Sequence, residues 1–372
     1  MLYIHIPFCA KRCFYCDFHS GTDRTIVDRY ILALERELEA RIDEIPTQEL
    51  TTIYIGGGTP SQLTPSQLKK LFLVLESKLN LSNLKEVTIE VNPDDITPDY
   101  ATEISSLPIN RVSMGIQSFN DRLLQLIGRR HNSQKAIEAY QILRNAGINN
   151  LSIDLMFSLP TQNLQEWESS INQAIELCPE HISAYDLSYE AGSVLTRKLK
   201  QGEFEACSDE TSIAMYNMLV DKLAEAGYEH YEISNFALPG YRSQHNSGYW
   251  KGKPYLGVGA SAHSFDGKVR RANFADTSLY INNVMEGKPT FEVEELSPRE
   301  SYNETIFTRL RTADGVDLNY IEQKYGKKNL QHLLREAASY ITEGYLTEQQ
   351  GRLTLTRKGI VISDTICCDL FL

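Results

Sequence analysis

The chain has 372 residues, 42% hydrophobic and 23% charged, with a formal net charge of −12. A field of that sign disfavours non-specific binding to nucleic acid or anionic lipid. No stretch approaches the ~18 consecutive apolar residues of a membrane span, and the length suits one barrel-type domain with a small appendage.

The first candidate strand is LYIHI (2–6). Nothing before it has the basic flank and apolar run of a secretory leader. The cysteine count, seven, is odd, and Cys178, Cys207, Cys367 and Cys368 are scattered. A reducing, cytoplasmic setting is expected, with contact at a membrane surface and homodimerisation left open. Directly after the strand come Cys9, Cys13 and Cys16 in C-x3-C-x2-C spacing. A disulfide uses two thiols. With His19 the three make a candidate Cys3His zinc site. The third possibility is a [4Fe–4S] cluster held by three thiolates, whose fourth iron keeps a position open for the amino and carboxylate groups of an amino acid.

Strands are expected at TIYI (52–55), EVTIE (86–90), RVSMG (111–115), LSIDLMF (151–157) and HISAYDLS (181–188). Helical periodicity fills 27–42, 65–79 and 133–147, the last closed by Gly147. Six alternations of strand and helix imply a parallel sheet, in an open or curved, partly closed form. Such sheets bind ligands at the carboxyl ends of their strands. There the sequence places the cysteines, then Gly56-Gly57-Gly58-Thr59-Pro60, Glu90, Gln117, Asp154, Pro160-Thr161-Gln162, and Tyr185 with Ser188. The glycines admit close backbone approach. Glu90, Gln117 and Asp154 suit ribose hydroxyls or an amino group, Arg129 suits a carboxylate, and Tyr15 suits a flat base. Taken singly each has a plainer role: a turn, an ion-pair partner, a helix start. Zinc leaves their gathering at one rim unexplained, so the cluster is preferred.

Past residue 190 the pattern loosens to a helix around 209–226, then HYEISNFALPG (230–240), then a Gly-, Ser- and aromatic-rich stretch at 242–265. Three units are expected: a barrel at 1–240, a connecting segment at 241–296, and a winged-helix-like domain at 297–372. The last has helices near 300–311, 317–324 and 328–343 and a hairpin at 346–356 turning at Gly351. Its ten basic residues balance ten acidic ones, so docking or a structural role is expected of it and no nucleic-acid partner.

The cysteine spacing after the first strand resembles the radical SAM superfamily and its partial (β/α)6 barrel. YIHIPFC, FYCDF, GGGTPS, GIQSF, IGRRH and IDLMFSLPTQ resemble the oxygen-independent coproporphyrinogen III oxidases and their relatives. Those oxidases carry a fourth cysteine where this chain has Phe18, and an arm before the first strand, which here begins at residue 2. His245-Asn246-Ser247-Gly248-Tyr249-Trp250 matches the H-N-x-x-Y-W motif of the HemW-type heme chaperones, which the chain resembles more closely. The resemblance implies cluster ligands Cys9, Cys13 and Cys16. It implies contacts to S-adenosylmethionine (SAM) from Tyr3, Tyr15, Gly57, Thr59, Glu90, Gln117, Arg129 and Asp154, with the number of SAM molecules open. His5 is expected to support the cluster from behind. His245 is tied to heme, with Tyr249 or Trp250 packing on the macrocycle; its plainer role is to fix backbone by hydrogen bonds, and the other seven histidines, His263 among them, are further candidate ligands. The implied function is a heme chaperone that delivers heme to hemoproteins such as respiratory enzymes. The alternative is SAM-dependent oxidative decarboxylation of coproporphyrinogen III, so whether the chain is an enzyme stays open.

Overall fold

The computed structural model describes residues 1–44, 50–79 and 81–372. Six parallel strands run in chain order across its main sheet: β1 (Leu2–Ile6), β2 (Thr52–Gly57), β3 (Glu86–Val91), β4 (Arg111–Gln117), β5 (Leu151–Phe157) and β6 (His181–Asp186). Helices α1 (Val27–Arg41), α2 (Pro65–Lys78), α3 (Pro98–Ser105), α4 (Asp121–Leu126), α5 (Ser133–Asn145) and α6 (Leu164–Leu177) make the crossovers. Their starts are written locally. Thr64 with Gln67 and Asn163 with Glu166 form reciprocal caps, and Asn132 caps α5, each side chain satisfying an amide that the first turn leaves free.

Period-two alternation gives the sheet two unlike faces. Ile4, Ile6, Ile53, Ile55, Val87, Ile89, Val112, Met114, Ile153 and Leu155 belong to one buried core with Leu34 and Leu38 of α1 and Leu68, Leu71 and Phe72 of α2. Each such side chain contributes about 1.5–3 kcal/mol. The intervening positions are polar: Tyr3 and His5, Thr52 and Tyr54, Thr88 and Glu90, Arg111 and Ser113, Ser152 and Asp154, His181 and Ser183. Several of them bond one another across strands, whereas Thr88 Oγ1 and Arg111 Nε are buried without a partner. Ser152 meets His181 at 2.8 Å, and His181 in turn meets Tyr231 at 2.7 Å. The inner face is therefore a largely hydrogen-bonded polar interior, pairing being what offsets the cost of burying such groups.

After α7 (Val194–Lys200) and α8 (Asp209–Glu225), β7 (Glu229–Glu232) and β8 (Asn235–Ala237) extend the sheet antiparallel beyond β6. The sixth strand stops at Asp186, so Ser188 lies in the loop that follows. At the opposite edge the segment expected only to connect supplies a strand. Following α9 (Gln244–Trp250), β9 (Leu256–Val258) pairs parallel with β1, Leu2 opposite Leu256. Then β10 (His263–Phe265), β11 (Val269–Asn273) and, after α10 (Thr277–Glu286), β12 (Phe291–Glu295) form a separate antiparallel sheet. The buried Glu37 of α1 fastens this region. It pairs with Arg41 at 2.8 Å and accepts from Gly259 N at 2.8 Å, Asn273 Nδ2 at 2.8 Å and Tyr280 Oη at 2.6 Å.

The last unit has its own core, with Tyr302, Ile306, Leu310, Ile321, Leu333, Leu346 and Leu353 in it. It contains α11 (Pro298–Leu310), β13 (Val316–Asp317), α12 (Leu318–Tyr325), α13 (Lys327–Thr342) and the hairpin of β14 (Leu346–Gln349) and β15 (Arg352–Leu355). Gln350 and Gly351, with φ of 53° and 72°, turn that hairpin. Arg311, just after α11, reaches back to the buried Glu232 at 3.1 Å. Among the described residues no helix is long and apolar enough to cross a membrane.

Candidate functional site

The loop after β1 is closed by two backbone bonds, Cys9 N to Gly21 O at 2.9 Å and Gly21 N to Pro7 O at 2.8 Å. Its middle is held from outside. Phe14 N donates to Ile127 O at 3.0 Å, and Leu195 N donates to Phe14 O at 2.8 Å. All three loop cysteines are free, Cys9 buried and Cys13 and Cys16 half-buried. Two of the sulfurs accept hydrogen bonds, Cys9 Sγ from Thr59 Oγ1 and Cys13 Sγ from an Arg129 Nη, both at 3.3 Å. Tyr15 also bonds Cys13, and burial raises its phenol pKa. Burial pushes the Cys16 thiol up to about 11, so a positive centre is what would hold it as thiolate at neutral pH.

The glycine triplet after β2 is fitted against this loop. Gly57 has φ +113°, and a Cβ there would lie 2.6 Å from the His5 ring; on Gly58 one would meet the backbone of Ile6 and Phe8 at 3.0 Å. His5 bonds Tyr3 Oη at 3.0 Å and the His19 carbonyl at 3.1 Å. Glu90, at the end of β3, accepts from Tyr54 Oη at 2.8 Å and from Gly57 N at 3.0 Å. Burial pushes its carboxyl up to about 7, with the Tyr54 bond opposing and the Asp154 charge adding. Asp154 is also raised by burial, against bonds from Ser183 and Ser113. Gln117 ends β4 after a register shift, at φ 72°. Arg129 bonds the Gly115 carbonyl, and its Nε is buried without a partner.

Cys9, Cys13, Cys16, Tyr3, Tyr15, Gly57, Thr59, Glu90, Gln117, Arg129 and Asp154 thus belong to the cysteine loop and the strand edges and polar face around it. His245 does not join them. It is 0% exposed, and its Nδ1 and Nε2 bond Thr52 Oγ1 at 2.8 Å and Tyr249 Oη at 2.9 Å. Thr52 is the first residue of β2, so the ring closes the other end of the polar interior. Burial takes its pKa down to about 3. To ligate iron it would have to leave both partners.

The donor set suits a cluster: three unpaired thiols in one loop, two sulfurs receiving hydrogen bonds, and an orphaned guanidinium N–H beside them. The fourth ligand of a Cys3His zinc site is turned elsewhere, because His19 Nε2 meets Thr277 Oγ1 at 2.9 Å. Among the described residues no group of three or more His, Cys, Asp or Glu side chains is set to hold a single metal ion. No motif pointed to Tyr54, Ser113 or Arg111, which orient or balance the Glu90 and Asp154 carboxylates. Their signal was the polar alternation within the strands.

The Radical SAM superfamily model matches residues 3–174, and the HemN C-terminal domain model matches residues 296–362. "Heme chaperone HemW" of Bacillus subtilis is 36% identical, over 98% of this chain and 97% of that protein. The chain belongs to the HemW family of the radical SAM superfamily. The HemW of Lactococcus lactis is 34% identical, over 98% of this chain and 95% of its own. Among solved structures, the coproporphyrinogen III oxidase HemN from Escherichia coli matches with a TM-score of 0.84 at 23% identity, covering 100% of this chain and 89% of that one. That likeness shows the shared fold. Membership of the radical SAM superfamily implies a [4Fe–4S] cluster and SAM as the cofactors of HemW proteins.

Proposed function

We propose that this chain is a heme chaperone, binding heme and passing it to hemoproteins, respiratory enzymes among them. The observation that carries this is the end-to-end similarity to HemW chaperones, 36% identity over 98% of the chain. The likeness to the oxidase, at 23% identity, extends to the fold, so heme transfer is preferred over coproporphyrinogen decarboxylation.

Cys9, Cys13 and Cys16 would hold the cluster. When bound, a cluster with one open iron supplies a one-electron centre and a chelation point for an amino acid. The chain's own residues do the rest. Thr59 and Arg129 donate to ligand sulfurs, which steadies their charge. Gly57 and Gly58 bring bare backbone against the loop. Glu90, Asp154 and Gln117 offer acceptors to the hydroxyl and amino groups of SAM, with Tyr3 and Tyr15 beside them.

The test uses anaerobically reconstituted protein loaded with hemin and mixed with an apo-hemoprotein. Heme should appear in the acceptor, read by its absorbance and activity. Absence of uptake, or uptake without transfer, overturns the proposal. Coproporphyrinogen III incubated with the same protein and SAM should yield no protoporphyrinogen IX; its appearance would favour the oxidase.

A further inference from the structure

Of the eight histidines, seven hold a ring hydrogen bond. His263, the first residue of β10, has none among the described residues, and it is exposed. Partial burial and then the Arg270 charge lower its pKa, so the imidazole is neutral with a free lone pair at neutral pH. It stands on the wall of a cavity of about 500 Å³, enclosed by the end of α9, the β10–β11 hairpin and helices α11 and α12. That volume lies within the ordinary range of small-molecule sites.

Two further features of the wall point to the occupant. Trp250, Tyr255 and Phe265 present aromatic surface to the cavity, and the Trp250 indole N–H is buried without a partner. Lys253, Arg309 and Lys324 line it as well, and among the described residues none of the three is paired with a carboxylate. Arg309 instead lies 3.9 Å over the Tyr320 ring. Glu304, an acid on the same wall, is neutralised by Arg270. Flat aromatic surface, unpaired cations and one free imidazole match a planar, dianionic, iron-bearing ligand.

We propose that this cavity between the barrel and the C-terminal unit is the heme seat. His263 is the axial ligand, the aromatic side chains pack on the macrocycle, and the three cations face the propionates. The assignment rests on the heme-chaperone function proposed above. It gives the H-N-x-x-Y-W motif two ends with separate roles: His245 closes the barrel interior, while Tyr249 and Trp250 reach the cavity.

Hemin titrated into the full-length protein, followed by Soret absorbance and electron paramagnetic resonance, tests it. Wild type should bind with a histidine-ligated spectrum. His263→Ala should weaken binding about tenfold or more and lose that spectrum, with an unchanged melting temperature because the ring is exposed and unbonded. His263→Cys should give a thiolate-type spectrum. Lys324→Glu should weaken binding of hemin and leave hemin dimethyl ester, which lacks the carboxylates, unaffected. If wild type binds hemin while the His263 variants keep its spectrum and affinity, the seat is elsewhere and the chaperone function stands. If wild type takes up no hemin, both fall together.

Discussion

The Gly57 amide donates to Glu90 Oε2 at 3.0 Å, so a carboxylate one residue from the end of β3 holds the turn that ends β2. The same turn lies against His5 and, through Thr59, against Cys9. The cysteine loop is therefore shaped partly by a carboxyl group that does not touch it.

The Glu90 carboxyl should make stability depend on pH. Its folded pKa is about 7 against an ordinary 4.5, so the folded chain holds this proton more tightly than the unfolded chain. The stability it lends is present at low pH and is lost as pH rises from the unfolded value through the folded one. Between about pH 5 and about pH 8, the melting temperature of Glu90→Gln should gain on wild type by about 2–4 °C. A constant difference across that range would show that Glu90 titrates normally.

Gly57→Ala should be far more damaging than Gly147→Ala. Both positions have positive φ, but a Cβ on Gly57 strikes the His5 ring, whereas Gly147 has nothing within 4 Å. The Gly147 variant should lose about 1 kcal/mol, and the Gly57 variant about 3 kcal/mol or more. Denaturant melts of the two, side by side, check the ranking.

Serine at Cys9, Cys13 or Cys16 should remove iron and sulfide from anaerobically reconstituted protein. Serine at Cys178 or Cys207, both outside the loop, should leave iron and sulfide at wild-type levels. Colorimetric iron and acid-labile sulfide assays decide the matter.

Arg129→Met should make the reconstituted cluster harder to reduce. The guanidinium places a positive charge and a hydrogen bond on Cys13 Sγ, and both stabilise the reduced, more negative form. The potential should fall by on the order of tens of millivolts, read by a redox titration monitored by paramagnetic resonance.

His245→Ala should destabilise the whole chain. It removes two ring hydrogen bonds at a fully buried position and opens a void, costing about 2–4 kcal/mol. Thermal melts should show this loss in His245→Ala and none in His263→Ala.

Much of this was legible beforehand. The first six strands carry long apolar alternation, and α2, expected at 65–79, begins at a capping residue three positions before Gln67, so local chemistry announced them; the same signal before Glu166 at α6 went unread. The cysteine spacing announced the loop. β9 left no such trace: three residues in a Gly- and aromatic-rich stretch become a strand only because β1 offers an edge. The burial of His245 left no trace for a related reason. Its neighbours in sequence are loop-like, while its partners, Thr52 and Glu86, are far away along the chain. His263 was one candidate among several in the sequence and separated from them once the other seven imidazoles were seen to be engaged.

The pairing of Leu2 with Leu256 and Ile4 with Val258 has a consequence for how the molecule is made. The strand that leads into the cysteines is translated some 250 residues before one of its two flanking partners. Until then β1 keeps an open edge, and such distant pairings form slowly. The edge of the sheet beside the cysteine loop thereby stays unfinished until Leu256–Val258 have been made and can dock on it.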